Sequence, residues 1–151
     1  MLNHLKVMFS SNVLDAIRRE SAAAPVGYET GGILLGDSDP LRLTVAGGPG
    51  PGAVRTKSFF LRDLQYSQNL AAQEAARSGA KWVGEWHTHP TGPAHPSPKD
   101  LSTYQRIQQD PNAGLSSGVL SLIVSPSGPG WLMTAWWCAD GHGIQIVMEE
   151  S

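Results

Sequence analysis

The chain has 151 residues, a formal net charge of -2 and 16% charged residues, which suits a globule long enough to close a core without disulfides. With no basic cluster, nucleic acid and anionic membrane surfaces are poor candidates for the main partner, and no apolar run is long enough to span a bilayer. The start, Met1-Leu2-Asn3-His4-Leu5-Lys6, lacks the charged-then-apolar layout of a signal peptide, and the lone Cys138 cannot form an internal disulfide; a cytoplasmic location is expected.

In chain order, Leu5 to Phe9 alternates as a short first strand. Ser10 or Ser11 then caps a helix with Val13, Leu14 and Ile17 as its apolar stripe and Arg18, Arg19 and Glu20 outside. Ala22 to Gly27 breaks that helix. Tyr28 to Asp37 reads as a buried strand entered through Gly31 and Gly32, turned at Asp37-Ser38-Asp39-Pro40, with Leu41 to Ala46 returning as a hairpin. Gly47 to Gly52 is expected to be a flexible surface loop without packing content. Arg55 to Phe60 is expected as a strand, and Leu61 to Ser78 as a helix ending at Gly79, with Ala71, Ala72, Ala75 and Ala76 forming a flat core-facing side.

A strand through Lys81-Trp82-Val83 follows and runs into Gly84-Glu85-Trp86-His87-Thr88-His89-Pro90. Residues i and i+2 of a strand share a face, so the imidazoles of His87 and His89 can converge; Pro90 ends the ladder because it has no N–H. Ser97-Pro98-Lys99-Asp100 has the grammar of a helix start, with Ser97 as N-cap, Pro98 at N1 and Asp100 at N3, and the helix runs to about Gln109. Strands at Val119 to Val124, Trp131 to Cys138 and Ile144 to Met148 complete the chain, with turns at Ser125 to Gly128 and Asp140-Gly141. The order β-α-β-β-β-α-β-α-β-β-β predicts an α/β fold, one domain over residues 1–151, with a mixed sheet flanked by helices.

Two imidazole nitrogens and one carboxylate, with a fourth position for water, form the donor set of a catalytic zinc. Zinc brings the pKa of its water to about 7, but a general base is still needed. Glu29, just before Gly31-Gly32, either ends a loop facing water or supplies that base; its residues alone leave both readings open.

The combined pattern His87-x-His89-Pro90, six residues, Ser97, two residues, Asp100 resembles the signature of the JAMM (MPN-type) zinc metalloprotease family. Glu29-Thr30-Gly31-Gly32-x-Leu34-x-Gly36 resembles the upstream element of its short prokaryotic members. The resemblance implies an MPN/JAMM (cytidine-deaminase-like) architecture and one catalytic zinc ion on His87, His89 and Asp100. It further implies Glu29 as acid/base and Ser97 as hydroxyl donor to the oxyanion. The implied reaction is hydrolysis of a peptide or isopeptide bond at the C-terminal tail of a ubiquitin-like, β-grasp, sulfur-carrier-type protein, or of a short peptide. The alternative is a catalytically silent scaffold that binds protein partners; such relatives typically lose ligands or the glutamate, and this chain keeps them. A zinc nucleoside deaminase would need a Cys-x-x-Cys pair and fails on one cysteine.

Outside the pattern, His95 reads as a bystander, and His4 and His142 as surface residues. Glu85 is either an outer support for a ligating histidine or an exposed strand residue. Trp136 and Trp137 point to opposite faces of a strand, and both are expected to be covered; the other reading is that one of them forms a partner surface. Oligomeric state leaves no signature in the sequence.

Overall fold

A computed structural model describes residues 6–57 and 60–151. Its elements are β1 (Lys6–Phe9), α1 (Ser11–Ala23), β2 (Gly31–Ser38), β3 (Leu41–Ala46), β4 (Val54–Arg55), β5 (Phe60–Leu61), α2 (Leu64–Ser78), β6 (Lys81–Thr88), α3 (Pro98–Gln109), β7 (Val119–Ser127), β8 (Gly130–Ala139) and β9 (His142–Glu150). Leu5, at the start of the expected first strand, and His4 lie outside the described residues.

The α/β class and the mixed sheet are as expected. The sheet runs β1-β3-β2-β6-β7-β8-β9 and curls until β1 meets β9 in parallel, Lys6 opposite Val147 through Phe9 opposite Glu150, closing a barrel. Closure leaves none of these seven strands with a bare flank along its whole length. Most pairings are antiparallel, but β6 and β7 run parallel, and α3 belongs to the crossover that a parallel pair requires.

The barrel is filled by Val7, Leu34, Leu43, Trp86, Leu122 and Ile146, and Val13 and Ile17 of α1 pack onto the same cluster. α2 covers the outer face through Ile33, Leu35 and Leu70, and α3 through Tyr104, Val119 and Cys138. Burial pushes the Cys138 thiol up to about 12, which suits an inert apolar side chain. Alternation along β2 sends Leu34 inward and Ile33 and Leu35 outward. A register shift skips Val83, a bulge that keeps Val83 and Trp86 inside while Glu85 and His87 face outward.

Four expectations are corrected. The 47–52 loop is not a free surface turn: Gly47 and Pro49 are buried, and the Gly47 carbonyl accepts from the Trp86 indole at 2.8 Å. Glycine content hid this, because a residue without a side chain packs through its backbone. Residues 55–60 do not form one strand; β4 and β5 are two short strands of a separate hairpin, Val54 opposite Leu61, with Ser58 and Phe59 outside the described residues. α2 starts at Leu64, since Asp63 is its N-cap and accepts from the Tyr66 N–H at 3.1 Å. Its core side is Ser67, Leu70, Ala71 and Glu74, an i, i+3, i+4, i+7 stripe, whereas Ala72, Ala75 and Ala76 are exposed. Finally, β7 runs on through Pro126 to Ser127 and pairs with Gly130, so the turn is confined to Gly128-Pro129.

Trp137 is buried in the barrel cluster and Trp136 is half-buried against the α3 side, as expected for covered side chains.

At Gly32 backbone meets backbone: an added Cβ would lie 1.9 Å from the Gly47 carbonyl oxygen. Gly32→Ala is therefore expected to lower unfolding free energy by about 1–3 kcal/mol through overpacking, read from urea denaturation. Gly130→Ala is the control, because its Cβ would meet only the Ser127 oxygen at 3.9 Å.

Candidate metal centre

β6 delivers His87 as its penultimate residue, and His89 lies just beyond the strand end. The His89 N–H still donates to the Val124 carbonyl at 2.8 Å, so the extended course persists and both imidazoles stay on the outer face. α3 delivers the third group. Ser97 is its N-cap, and the capping box is complete: the Asp100 N–H donates to Ser97 Oγ at 3.0 Å, and the Ser97 N–H donates to Asp100 Oδ2 at 2.9 Å.

That same Oδ2 faces both rings. His87 Nε2 and His89 Nε2 are 3.0 Å apart, and each is 3.2 Å from Asp100 Oδ2. Ligands about 2.0–2.1 Å from a tetrahedral zinc stand roughly 3.3 Å from one another, so this triangle fits the ion with small relaxation. The tautomers fit as well. His89 Nδ1 is 2.9 Å from the Pro93 carbonyl, which can only accept, so Nδ1 carries a proton and Nε2 is the nitrogen that would give its lone pair to a cation in place of its hydrogen bond to Asp100. Among the described residues, His87, His89 and Asp100 form a three-residue group with the donors a divalent cation needs.

Charge balance follows from the geometry. Burial alone would raise the Asp100 carboxyl, but hydrogen bonds with His87, His89 and the Ser97 N–H hold it well below the usual carboxylate range. For His89, burial disfavours the charged ring, yet Asp100 and the Pro93 carbonyl outweigh it and raise the pKa.

Glu29 comes from the other side. β2 begins with Gly31 opposite His87, which carries the preceding residues alongside the end of β6. The Thr30 N–H donates to Thr88 Oγ1 at 3.0 Å, the Thr88 N–H to the Thr30 carbonyl at 2.9 Å, and the Glu29 N–H to the Thr56 carbonyl at 2.9 Å. Glu29 is half-buried and lines the same cavity of about 710 Å³ as His87, His89, Ser97 and Asp100. Burial raises its pKa, while His87 and His89 pull the other way. The four residues of the His87 to Asp100 spacing pattern and Glu29, which the resemblance implied, are thus gathered around one cavity.

Glu85 is no exposed strand residue. It is half-buried, forms an ion pair with Arg62 and lines the cavity, and Arg62 lies 5.7 Å from the Trp82 ring centroid. Burial pushes the Glu85 carboxyl up, against the Arg62 charge. His95, set aside as a bystander, stands on the cavity wall with its ring edge-on to Trp136.

Tyr104 went unnoticed in the sequence. Its hydroxyl is 2.8 Å from Ser121 Oγ and 3.5 Å from His87 Nδ1, buried behind the ring. The signal was available: Tyr104 follows Asp100 by four positions, on the same face of α3.

Comparison with known proteins bears on the fold and the family. The solution structure of protein DSY2949 from Desulfitobacterium hafniense superposes with a TM-score of 0.72 at 18% identity, over 96% of this chain and 92% of that one, a likeness of fold. A Pseudomonas aeruginosa protein named CD-NTase/cGAS isopeptidase is 28% identical over 109 residues, 70% of this chain and 69% of the relative. The family described as prokaryotic homologs of the JAB domain matches residues 10–139, a span that includes Glu29 and the whole His87 to Asp100 run. The resemblance read from the motif therefore holds, and the chain belongs to the prokaryotic JAB-domain family.

Proposed function

We propose that this protein is a zinc-dependent peptidase or isopeptidase that cuts at the C-terminal tail of a ubiquitin-like, β-grasp protein. The observation that carries the reading is the triangle of His87 Nε2, His89 Nε2 and Asp100 Oδ2, with the Glu29 carboxylate in the same cavity. The isopeptidase name of the Pseudomonas relative supports a protein substrate. His87, His89 and Asp100 would hold a zinc ion, which would supply Lewis acidity and make water a usable nucleophile near neutral pH.

The chain's own residues do the rest. Glu29, raised by burial, takes the proton from the attacking water and returns it to the leaving amine. Ser97 Oγ accepts from the Asp100 N–H, which leaves its own hydroxyl hydrogen to donate to the oxyanion. His89 is oriented by Pro93 and His87 is backed by Tyr104, so neither ring needs to reorganise during the reaction. A silent scaffold has less support, since the ligand triangle and the glutamate are both in place.

Ser97→Ala separates two roles. Losing the cap costs about 1 kcal/mol of stability, whereas losing an oxyanion donor adds roughly 3 kcal/mol to the barrier. Turnover is therefore expected to fall about 100-fold with a small drop in denaturation midpoint. Equal turnover of Ser97→Ala and wild type removes the donor role.

The activity itself is tested by incubating the zinc-loaded protein with β-grasp proteins carrying C-terminal extensions or lysine-linked conjugates, and weighing the products by mass spectrometry. A shortened extension or a released conjugate is the expected result; intact substrates throughout reject the assignment.

A further inference from the structure

We propose that the cavity selects segments with acidic side chains beside the bond presented to the metal centre, a substrate preference that rests on the hydrolase reading above. Lys99, Thr103 and Arg106 stand at i, i+4 and i+7 of α3 and all line the cavity, so one face of the helix turns two cations toward it. Lys57 adds a third from outside that helix, next to Thr56, whose carbonyl accepts from the Glu29 N–H. Cations thus reach the cavity wall both from α3 and from the stretch that follows β4.

Among the described residues, the four cations of the cavity wall (Lys57, Arg62, Lys99 and Arg106) exceed its three carboxylates (Glu29, Glu85 and Asp100) by one. Glu85 is matched with Arg62, and Asp100 faces the two histidines and the Ser97 N–H. Glu29 remains, with the charge of Lys99 already acting on it. The Arg106 guanidinium meets the hydroxyls of Ser102 and Thr103, which are neutral. The result is a positive rim on a chain whose net charge is -2.

Each exposed pair contributes little by itself. Several like charges around a concave site act together: they concentrate segments of opposite charge and disfavour segments of the same charge. The preference is accordingly screened by salt.

The test uses fluorescein-labelled peptides of one extended sequence that are identical except for Glu, Gln or Lys at the positions flanking the central bond, with binding to the zinc-loaded protein followed by anisotropy. Glu peptides are expected to bind about tenfold more tightly than Lys peptides at low salt, with the gap narrowing as salt is raised. Lys99→Glu/Arg106→Glu reverses the order and Lys57→Glu shifts it the same way, while Arg77→Glu on α2 leaves it unchanged. Equal binding of the three peptides, no binding of any, or an unchanged order in both Lys99→Glu/Arg106→Glu and Lys57→Glu overturns the proposal. Failure of the hydrolase reading looks different: the charge order appears as expected, yet no peptide or tail-bearing protein is cut.

Discussion

Glu29→Gln is expected to retain its zinc and to lose about 100-fold or more of its turnover. The substitution keeps the size of the side chain and removes the proton-accepting oxygen. The backbone around it is pinned by the Glu29 N–H on Thr56 and by the reciprocal bonds of Thr30 with Thr88, so the change is confined to chemistry. Metal analysis of the purified variant and its kcat on a tail-bearing substrate provide the two readings. A variant with wild-type kcat would falsify the general-base role and move the proton transfer to another group.

His87→Ala is expected to lose both metal and activity. His87 is buried, its Nε2 is one corner of the donor triangle, and two remaining ligands hold zinc far more weakly than three. The change also strips Asp100 Oδ2 of one partner in a half-buried place, and leaving such a group less satisfied costs about 1–3 kcal/mol. Metal content near zero and a lower denaturation midpoint are the expected readings, the second measured on metal-free samples of both proteins so that zinc does not contribute. Stoichiometric zinc in this variant would place the metal elsewhere.

These two variants probe different layers of the site. Loss of Glu29 leaves the binding triangle whole, whereas loss of His87 breaks it and takes the chemistry with it. Ser97 lies between the two: its oxygen holds the α3 start, and in the proposed reaction its hydrogen goes to the oxyanion.

The parts of the fold legible in the sequence were those with short-range rules. Alternation put His87 and His89 on one face, and the Ser97-Pro98-Lys99-Asp100 run announced a capped helix whose N3 carboxylate sits within reach of them. The hairpin at Leu41 and the left-handed Gly79 at the end of α2 were equally local. Alanine content misled at α2, because it records helix propensity and not which side is buried; the stripe at Ser67, Leu70, Ala71 and Glu74 carried that information. Glycine content misled at residues 47–52, where the packing partner is a backbone carbonyl under the Trp86 indole.

The sequence by itself determined the donor types, their spacing and the capped helix that presents Asp100, since each depends on residues a few positions apart. The residues around Glu29 left its place open and only the family resemblance implied it; the tertiary structure brings it to the same cavity as the other three. That depends on the register that sets Gly31 opposite His87, and on hydrogen bonds between Thr30 and Thr88, 58 positions apart. It also decided that Lys57, Arg62, Lys99 and Arg106 share one cavity wall with Glu85. Pattern along a chain reports which face a side chain takes, but which faces meet is set by strand pairing and helix docking between distant segments, and no local period encodes that.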